Sequence, residues 1–483
     1  MASSNTRADR WKALLSDQRL YGKSYPANED SRSEFQRDYD RIIFSSAFRR
    51  LQDKTQVFPL SNTDYTRTRL THSLETSSVG RTLGILAAKH LSKLGVVCEP
   101  HEVGTIVATA ALAHDLGNPP FGHSGESAIQ AWASKHLPLP DERPVVEKVT
   151  FKKRRREAGI VPMTPAELSD FHLFEGNSQG FRILVRTLAR TRKGGMRPTL
   201  ATLGAMSKYP RPSMEASIKF NPEVVSEKKP GYFQNDRAMA CKAFRALGMH
   251  ETSEGAFSRH PLAFLTEASD DLCYAIADLE DGFKLGAVSF NEFREVLLPL
   301  AERDQGYAEL QYFDEPTRLA RMRASALQVL VAACAKAFRD CLDEMEAGKL
   351  NVPLIERTPF AEKYGALKNL AKQKIYNHER VLQIEYAGYQ TIGGLLEMFY
   401  AALCEPQCSS KDQKLKRLLP IQLLWRPNQS ARFAAAQENP HDFYLNLMTP
   451  YERLLTVTDH VSGMTDGFAV QLYQRLSGIR LPE

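Results

Sequence analysis

No run of about 18 consecutive apolar residues occurs anywhere in this chain, which excludes a membrane-spanning helix. The stretch from Met1 to Trp11 is polar and lacks the apolar centre of a secretory leader, so a cytoplasmic protein is expected. Cysteine is sparse and odd in number: Cys98, Cys241, Cys273, Cys334, Cys341, Cys404 and Cys408. That count and scatter point to reduced thiols, not to a disulfide framework. Only Cys404 and Cys408 stand close together, and without a second pair at zinc-finger spacing they are not expected to hold zinc. Internal repeats and low-complexity tracts are missing, and strand-like alternation is scarce. Gly22-Lys23-Ser24 matches the end of a nucleotide-binding P-loop, but Asp17 stands where its first glycine belongs and no strand precedes it. A P-loop mechanism is thereby set aside.

What the chain does have is helical periodicity. Its 483 residues are 43% hydrophobic and 25% charged, enough apolar material for a large core. Val79, Leu83, Leu86, Ala87 and Leu91 form one stripe at the 3.6-residue period; Leu262, Leu265, Leu272, Ile276, Leu279 and Phe283 form a second; Leu327, Leu330, Val331 and Cys334 a third. An all-α globule follows. Two proline-rich segments, 137–165 and 199–231, break the pattern and read as long irregular excursions from one core. The formal charge of +6 is unevenly placed, with a basic block at 148–156 (KVTFKKRRR) and a second basic stretch at 182–211. Each is either a solvated surface or an attractor of polyanions such as nucleotide phosphates or nucleic acid.

The chemistry centres on His114-Asp115, at the end of the small, apolar run Gly104-Thr-Ile-Val-Ala-Thr-Ala-Ala-Leu-Ala113. Gly117 is suited to end that helix in the left-handed conformation. A buried, adjacent His and Asp are costly unless paired or metal-bound. His72, in Arg69-Leu-Thr-His-Ser-Leu-Glu75, and Asp270, in Glu267-Ala-Ser-Asp-Asp-Leu-Cys-Tyr274, complete a mixed nitrogen and oxygen donor set. Such a set suits Mn²⁺, Fe²⁺, Co²⁺, Ni²⁺ or Zn²⁺ and tolerates Mg²⁺. Asp270, Tyr274 and Asp278 recur every four residues, so they are expected to line one pocket wall, with Asp271 pointing elsewhere. In Gly117-Asn-Pro-Pro-Phe-Gly-His-Ser-Gly-Glu126 a tight turn leads into a helix carrying His123 and Glu126. There the carboxylate is expected to orient the imidazole and raise its pKa, making His123 a general acid, the competing reading being that His123 merely caps the helix start.

These residues, together with Phe48-Arg-Arg-Leu-Gln-Asp-Lys-Thr-Gln-Val-Phe-Pro59, Phe174-Glu-Gly-Asn-Ser-Gln179, Glu385-Tyr-Ala-Gly-Tyr389 and Val461-Ser-Gly-Met-Thr-Asp466, resemble the bacterial dGTP triphosphohydrolases, a branch of the HD superfamily. The resemblance runs from about residue 30 to 475. It implies an N-terminal segment (1–34), an HD-type helical catalytic core (35–290) carrying both insertions, and a C-terminal helical region (291–483) packed on that core. It implies that His72, His114, Asp115 and Asp270 hold a divalent metal, Mn²⁺ or Mg²⁺ foremost, and that His123 and Glu126 form the catalytic pair. Gln56 and Asp278 would bond the sugar 3′-hydroxyl, and Tyr274 would occupy the place of a 2′-hydroxyl. Arg69, Asn177 and Lys208 would contact phosphates. The implied reaction is hydrolysis of dGTP, and of other deoxynucleoside triphosphates, to a deoxynucleoside and inorganic triphosphate. A homohexamer and activation by single-stranded DNA or nucleotides are further implications. Two rival readings are an HD phosphohydrolase acting on another nucleotide and a DNA-binding regulatory protein with a vestigial site.

Overall fold

The computed structural model describes residues 7–22, 31–56, 67–137, 163–186, 195–214, 221, 223–301, 312–405, 409–424 and 439–480. The basic block at 148–156, most of the 137–165 insertion, Lys23, Ser24 and Cys408 lie outside them. Twenty-one α-helices dominate the described residues, and the two short antiparallel strands Glu251–Ser253 and Ala256–Phe257 form their one sheet, so the fold is all-α. No described helix is long and apolar enough to cross a membrane. None of the six described cysteines is in a disulfide.

Three helices position the site. Arg69–Lys93 is started by Thr68, whose hydroxyl accepts from the Thr71 N–H in a reciprocal capping box. Pro100–Ala113 begins on a proline whose missing N–H costs nothing there, and it is buried from Ile106 to Ala113. These two cross closely because Gly84 faces Gly104: a Cβ on Gly84 would stand 2.8 Å from the Gly104 Cα. The third, Pro261–Lys284, is capped by His260, whose ring accepts from the Leu262 N–H. Its stripe Leu262, Leu265, Leu272, Ile276 and Leu279 is buried in the same core, as the periodicity predicts.

That first core also takes in Trp11 of the Arg7–Leu14 helix and the inner faces of Phe290–Ala301, Glu315–Asp340 and Ala361–Lys374. A second core is built on Glu379–Cys404, which packs against His123–His136, Pro450–Ser462 and Asp466–Leu476. Buried charge joins the two. Arg182 of Gly176–Arg186 grips Asp459 with two parallel bonds, Nε to Oδ1 at 2.8 Å and Nη2 to Oδ2 at 2.9 Å.

Three expectations are corrected here. The segment 199–231 is not irregular throughout, because Thr199 caps a short buried helix, Leu200–Met206. Its residues Leu200-Ala-Thr-Leu-Gly-Ala-Met206 are apolar or small on every side, so no periodicity reveals it. The described arginines of the second basic stretch are committed within the fold, while its Lys208 lines the cavity of the candidate site. Arg182 pairs with Asp459 and Asp236, Arg186 with Asp236, and Arg211 with Glu227, while Arg197 donates to the carbonyls of Tyr21 and Gly22. Gly117 is not left-handed. Phe121 (φ 62°) and Gly122 (φ 56°) make the turn instead, and Gly117 is needed because a Cβ there would lie 2.0 Å from the Gly176 carbonyl oxygen.

Candidate metal centre and nucleotide cleft

His72 sits one turn into Arg69–Lys93, His114 closes Pro100–Ala113, and Asp270 lies near the middle of Pro261–Lys284. Helix packing brings them together. His72, His114 and Asp115 present donor atoms all within 4.8 Å of one another. The Asp270 Oδ1 lies 3.1 Å from the His72 Nε2 and 3.4 Å from the His114 Nε2.

The supporting bonds aim these groups at a common point. The His114 Nδ1 lies 2.6 Å from the Ala111 carbonyl oxygen, so it carries the proton and leaves the Nε2 lone pair facing the centre. Asp115 accepts from Arg69 Nη1 at 2.8 Å on one oxygen and from the Asn118 side-chain amide on the other. Burial alone would lower the His114 pKa, but Asp115 and Asp270 raise it to about 9. Burial would raise both carboxyls; instead Arg69, His114 and His72 hold Asp115 at about 2, and His114 and His72 hold Asp270 well below the usual range. A site that keeps two carboxylates ionised and draws a proton onto its imidazole calls for positive charge. Two imidazoles and two carboxylates therefore fit a divalent cation.

The centre opens on a cavity of about 280 Å³, contiguous with a second of about 300 Å³ through the shared walls Gln56, Arg69, His123 and Tyr274. Of the residues singled out from sequence, His72, His114, Asp115, Asp270, His123, Glu126, Gln56, Arg69, Asn177, Lys208 and Tyr274 all line the first cavity. Asp278 lines neither. It is buried behind the wall, where the Tyr376 hydroxyl donates to its Oδ2 and stacks its own ring 6.3 Å from that of Tyr274. Burial pushes Asp278 up to about 8.

Asp271 does not point away: it lines the cavity near Lys208, and burial lifts it to about 7. The expected His123 and Glu126 pairing also differs. Glu126 directs Oε1 to the Gly176 N–H at 2.7 Å, and the carboxylates that act on His123 are Glu175 and Asp115. Its enclosing walls, then Lys229 and Arg69, hold the His123 pKa below its ordinary value, not above it.

Several lining residues carry no role that the sequence alone suggests. Lys229 pairs with Glu175 at 2.6 Å, Lys368 lies over the Tyr364 ring, and Glu385 faces the second lobe with Thr55, Phe121, Tyr376 and Val381. Glu385 opens the Glu385-Tyr-Ala-Gly-Tyr389 motif and could have been found there. Lys229 and Lys368 stand among other lysines, and nothing in their neighbourhood marks them. Lys208 approaches Glu267 at 3.4 Å, and that carboxylate and Tyr209 lift its pKa against the lowering effect of burial.

Comparison with known proteins decides the relationship. No protein-family model matches the chain. It is 37% identical over 478 residues to a deoxyguanosinetriphosphate triphosphohydrolase-like protein of Synechocystis, covering 98% of this chain and all of that protein. A protein of the same description from Pseudomonas aeruginosa is 36% identical over 481 residues, covering 98% and 99%. The chain belongs to the deoxyguanosinetriphosphate triphosphohydrolase family. A Cronobacter sakazakii member named deoxyguanosinetriphosphate triphosphohydrolase, without the suffix, is 32% identical over 490 residues, covering 92% of this chain and 94% of its own. Membership in this family makes the two-lobed cleft the place to look for its chemistry.

Proposed function

We propose that this protein hydrolyses deoxynucleoside triphosphates, dGTP foremost, to a deoxynucleoside and inorganic triphosphate. The observation that carries the reading is the cleft itself: a two-histidine, two-carboxylate centre in one lobe, opening past Gln56 and Tyr274 into a second lobe. His72, His114, Asp115 and Asp270 would hold the ion. Mn²⁺ or Mg²⁺ is the ion we propose, and Co²⁺, Ni²⁺, Fe²⁺ or Zn²⁺ would also suit these donors. A divalent cation bound there supplies neutralisation of phosphoryl charge and acidification of water.

The chain's own residues do the rest. A triphosphate brings about four negative charges, and Lys208, Lys229, Lys368 and Arg69 converge on the cavity to hold them, with Asn177 donating from the start of its helix. His123 is held below its ordinary pKa chiefly by its enclosing walls and then by Lys229 and Arg69. A bound triphosphate offsets those cations, so the ring takes up a proton as substrate arrives and can pass it to the departing 5′-oxygen. The Gln56 Oε1 is buried without a partner, which suits it to accept from a sugar hydroxyl. Tyr274, braced by Tyr376 and through it by Asp278, fills the space a 2′-hydroxyl would need. Glu385 can accept the two adjacent N–H groups on the edge of guanine, which favours dGTP.

The test is incubation of the protein with Mn²⁺ or Mg²⁺ and each deoxynucleoside triphosphate or GTP, with and without single-stranded DNA, and identification of the phosphate product. Inorganic triphosphate should appear first and fastest from dGTP. Orthophosphate or pyrophosphate as the first product would overturn the reading.

A further inference from the structure

The Val461-Ser-Gly-Met-Thr-Asp466 motif contributes nothing to the cleft wall, yet its last residue is where two cleft segments meet. Asp466 opens the Asp466–Leu476 helix and is 1% exposed. Its Oδ2 accepts from the Thr55 N–H and its Oδ1 from the Phe121 N–H, both at 3.0 Å. Thr55 precedes Gln56, and Phe121 stands two residues before His123. Phe121 holds a φ of 62°, a conformation that side-chain-bearing residues rarely adopt and that its surroundings must impose. Its ring supplies part of that constraint by packing on Gly388, where a Cβ would come within 2.7 Å of it.

A carboxylate this buried needs compensating charge. Lys54 provides it from the same cluster. Its ammonium donates to the carbonyls of Asn118 at 2.5 Å and Ser462 at 2.9 Å, so it reaches the same three chain segments. Burial brings Lys54 down to about 7, and Asp466 is the strongest influence opposing that fall. Arg50 adds a third tie, donating to the Gly463 carbonyl at 2.8 Å.

We infer that Asp466, set by Lys54, is a positioning residue that fixes Gln56 and His123 relative to each other across the cleft. It lines neither lobe of the cleft; it acts through the two hydrogen bonds it accepts from backbone N–H groups. The functional meaning rests on the triphosphohydrolase reading, from which Gln56 and His123 take their roles. The geometric claim does not.

The experiment uses the full-length, Mn²⁺-loaded protein and three variants: Asp466→Asn, Gln56→Ala and the double variant. Asparagine keeps one acceptor and turns an N–H against the other backbone donor. Release of inorganic triphosphate from dGTP, Mn²⁺ affinity, and hydrogen exchange of residues 53–56 and 119–123 are measured on each. Asp466→Asn should lower kcat/KM by about tenfold to a hundredfold, with changes in both kcat and KM. It should leave Mn²⁺ affinity unchanged and speed exchange in both segments. Because Asp466 acts partly through Gln56, the double variant should lose less than the product of the two single losses. Wild-type exchange rates in Asp466→Asn, or losses that simply multiply, would overturn the inference. A wild-type protein that releases no triphosphate would sink the functional reading alone, since exchange still tests the clamp. Should Asp466→Asn not purify folded, Thr55→Pro serves: it deletes one of the two donors and follows Lys54, already extended at φ −109° and ψ 129°. The same activity and exchange outcomes then decide.

Discussion

Tyr274 sets its ring centre 6.3 Å from that of His72, nearly edge-on, so its bulk stands directly beside the candidate metal centre. In the proposed reading it would act against a 2′-hydroxyl by size and not by a hydrogen bond, because Tyr376 and Asp278 brace it from behind. Tyr274→Ala should therefore raise GTP hydrolysis relative to dGTP, lowering the preference by about tenfold to a hundredfold in a competition assay. An unchanged ratio would show that ribose is excluded elsewhere. The same corner shows the limit of spacing arguments. Asp270, Tyr274 and Asp278 do share a helix face, but Tyr376, more than ninety residues further on, covers the last of them. Nothing local to Asp278 announces that partner. His123 is a similar case, since i,i+3 spacing suggests Glu126 as its partner while the Gly176 N–H claims that carboxylate.

Helices that must touch closely are written in glycine here. Gly117 backs onto the start of Gly176–Arg186, and a Cβ added to it would stand 2.0 Å from the Gly176 oxygen and 2.1 Å from the Gly180 nitrogen. Both obstacles are backbone, so neither can swing aside. Gly117→Ala should cost about 3 kcal/mol or more, read as a lower urea midpoint. Gly365→Ala, within Ala361–Lys374 and with nothing inside 4 Å, should instead stabilise by up to about 1 kcal/mol. If the two substitutions behave alike, close approach is not what Gly117 provides. Long helices with an apolar stripe are legible from sequence: the stripes over 79–91 and 262–283 fall on the two helices that carry His72 and Asp270. Leu200–Met206, buried all round, shows no period, and the role of Gly117 is misread because a glycine after a helix fits either a left-handed cap or a close contact. The residues proposed to hold the metal stand out in the sequence because each lies in a distinctive local motif; the lysines that line the cleft do not, because their placement comes only from distant packing.

Across the whole molecule, His260 ties the first described helix to Pro261–Lys284. Its Nδ1 accepts from the Leu262 N–H, and its Nε2 donates to the Leu14 carbonyl at 3.0 Å, closing the end of Arg7–Leu14. Both ring nitrogens are thus committed to the neutral tautomer, and a second proton would set Nδ1–H against N–H. Burial lowers the His260 pKa from 6.5 to about 4. In the unfolded chain the ring takes up a proton near 6.5, whereas the folded protein resists until about 4. Between those values the unfolded state binds more protons, so this histidine's contribution is complete above 6.5 and is lost as pH falls towards 4. At most it amounts to about 3 kcal/mol. His260→Asn keeps a side-chain acceptor for the Leu262 N–H but gives up the Leu14 bond and has nothing to titrate. At pH 7 the variant should be less stable than the parent by about 1 to 2 kcal/mol. The gap should shrink through the acid window and vanish or reverse near pH 4 as the parent loses what the variant never had. Urea unfolding at several pH values reads this directly, and a gap that stays constant would mean that His260 is not held neutral by the junction it caps.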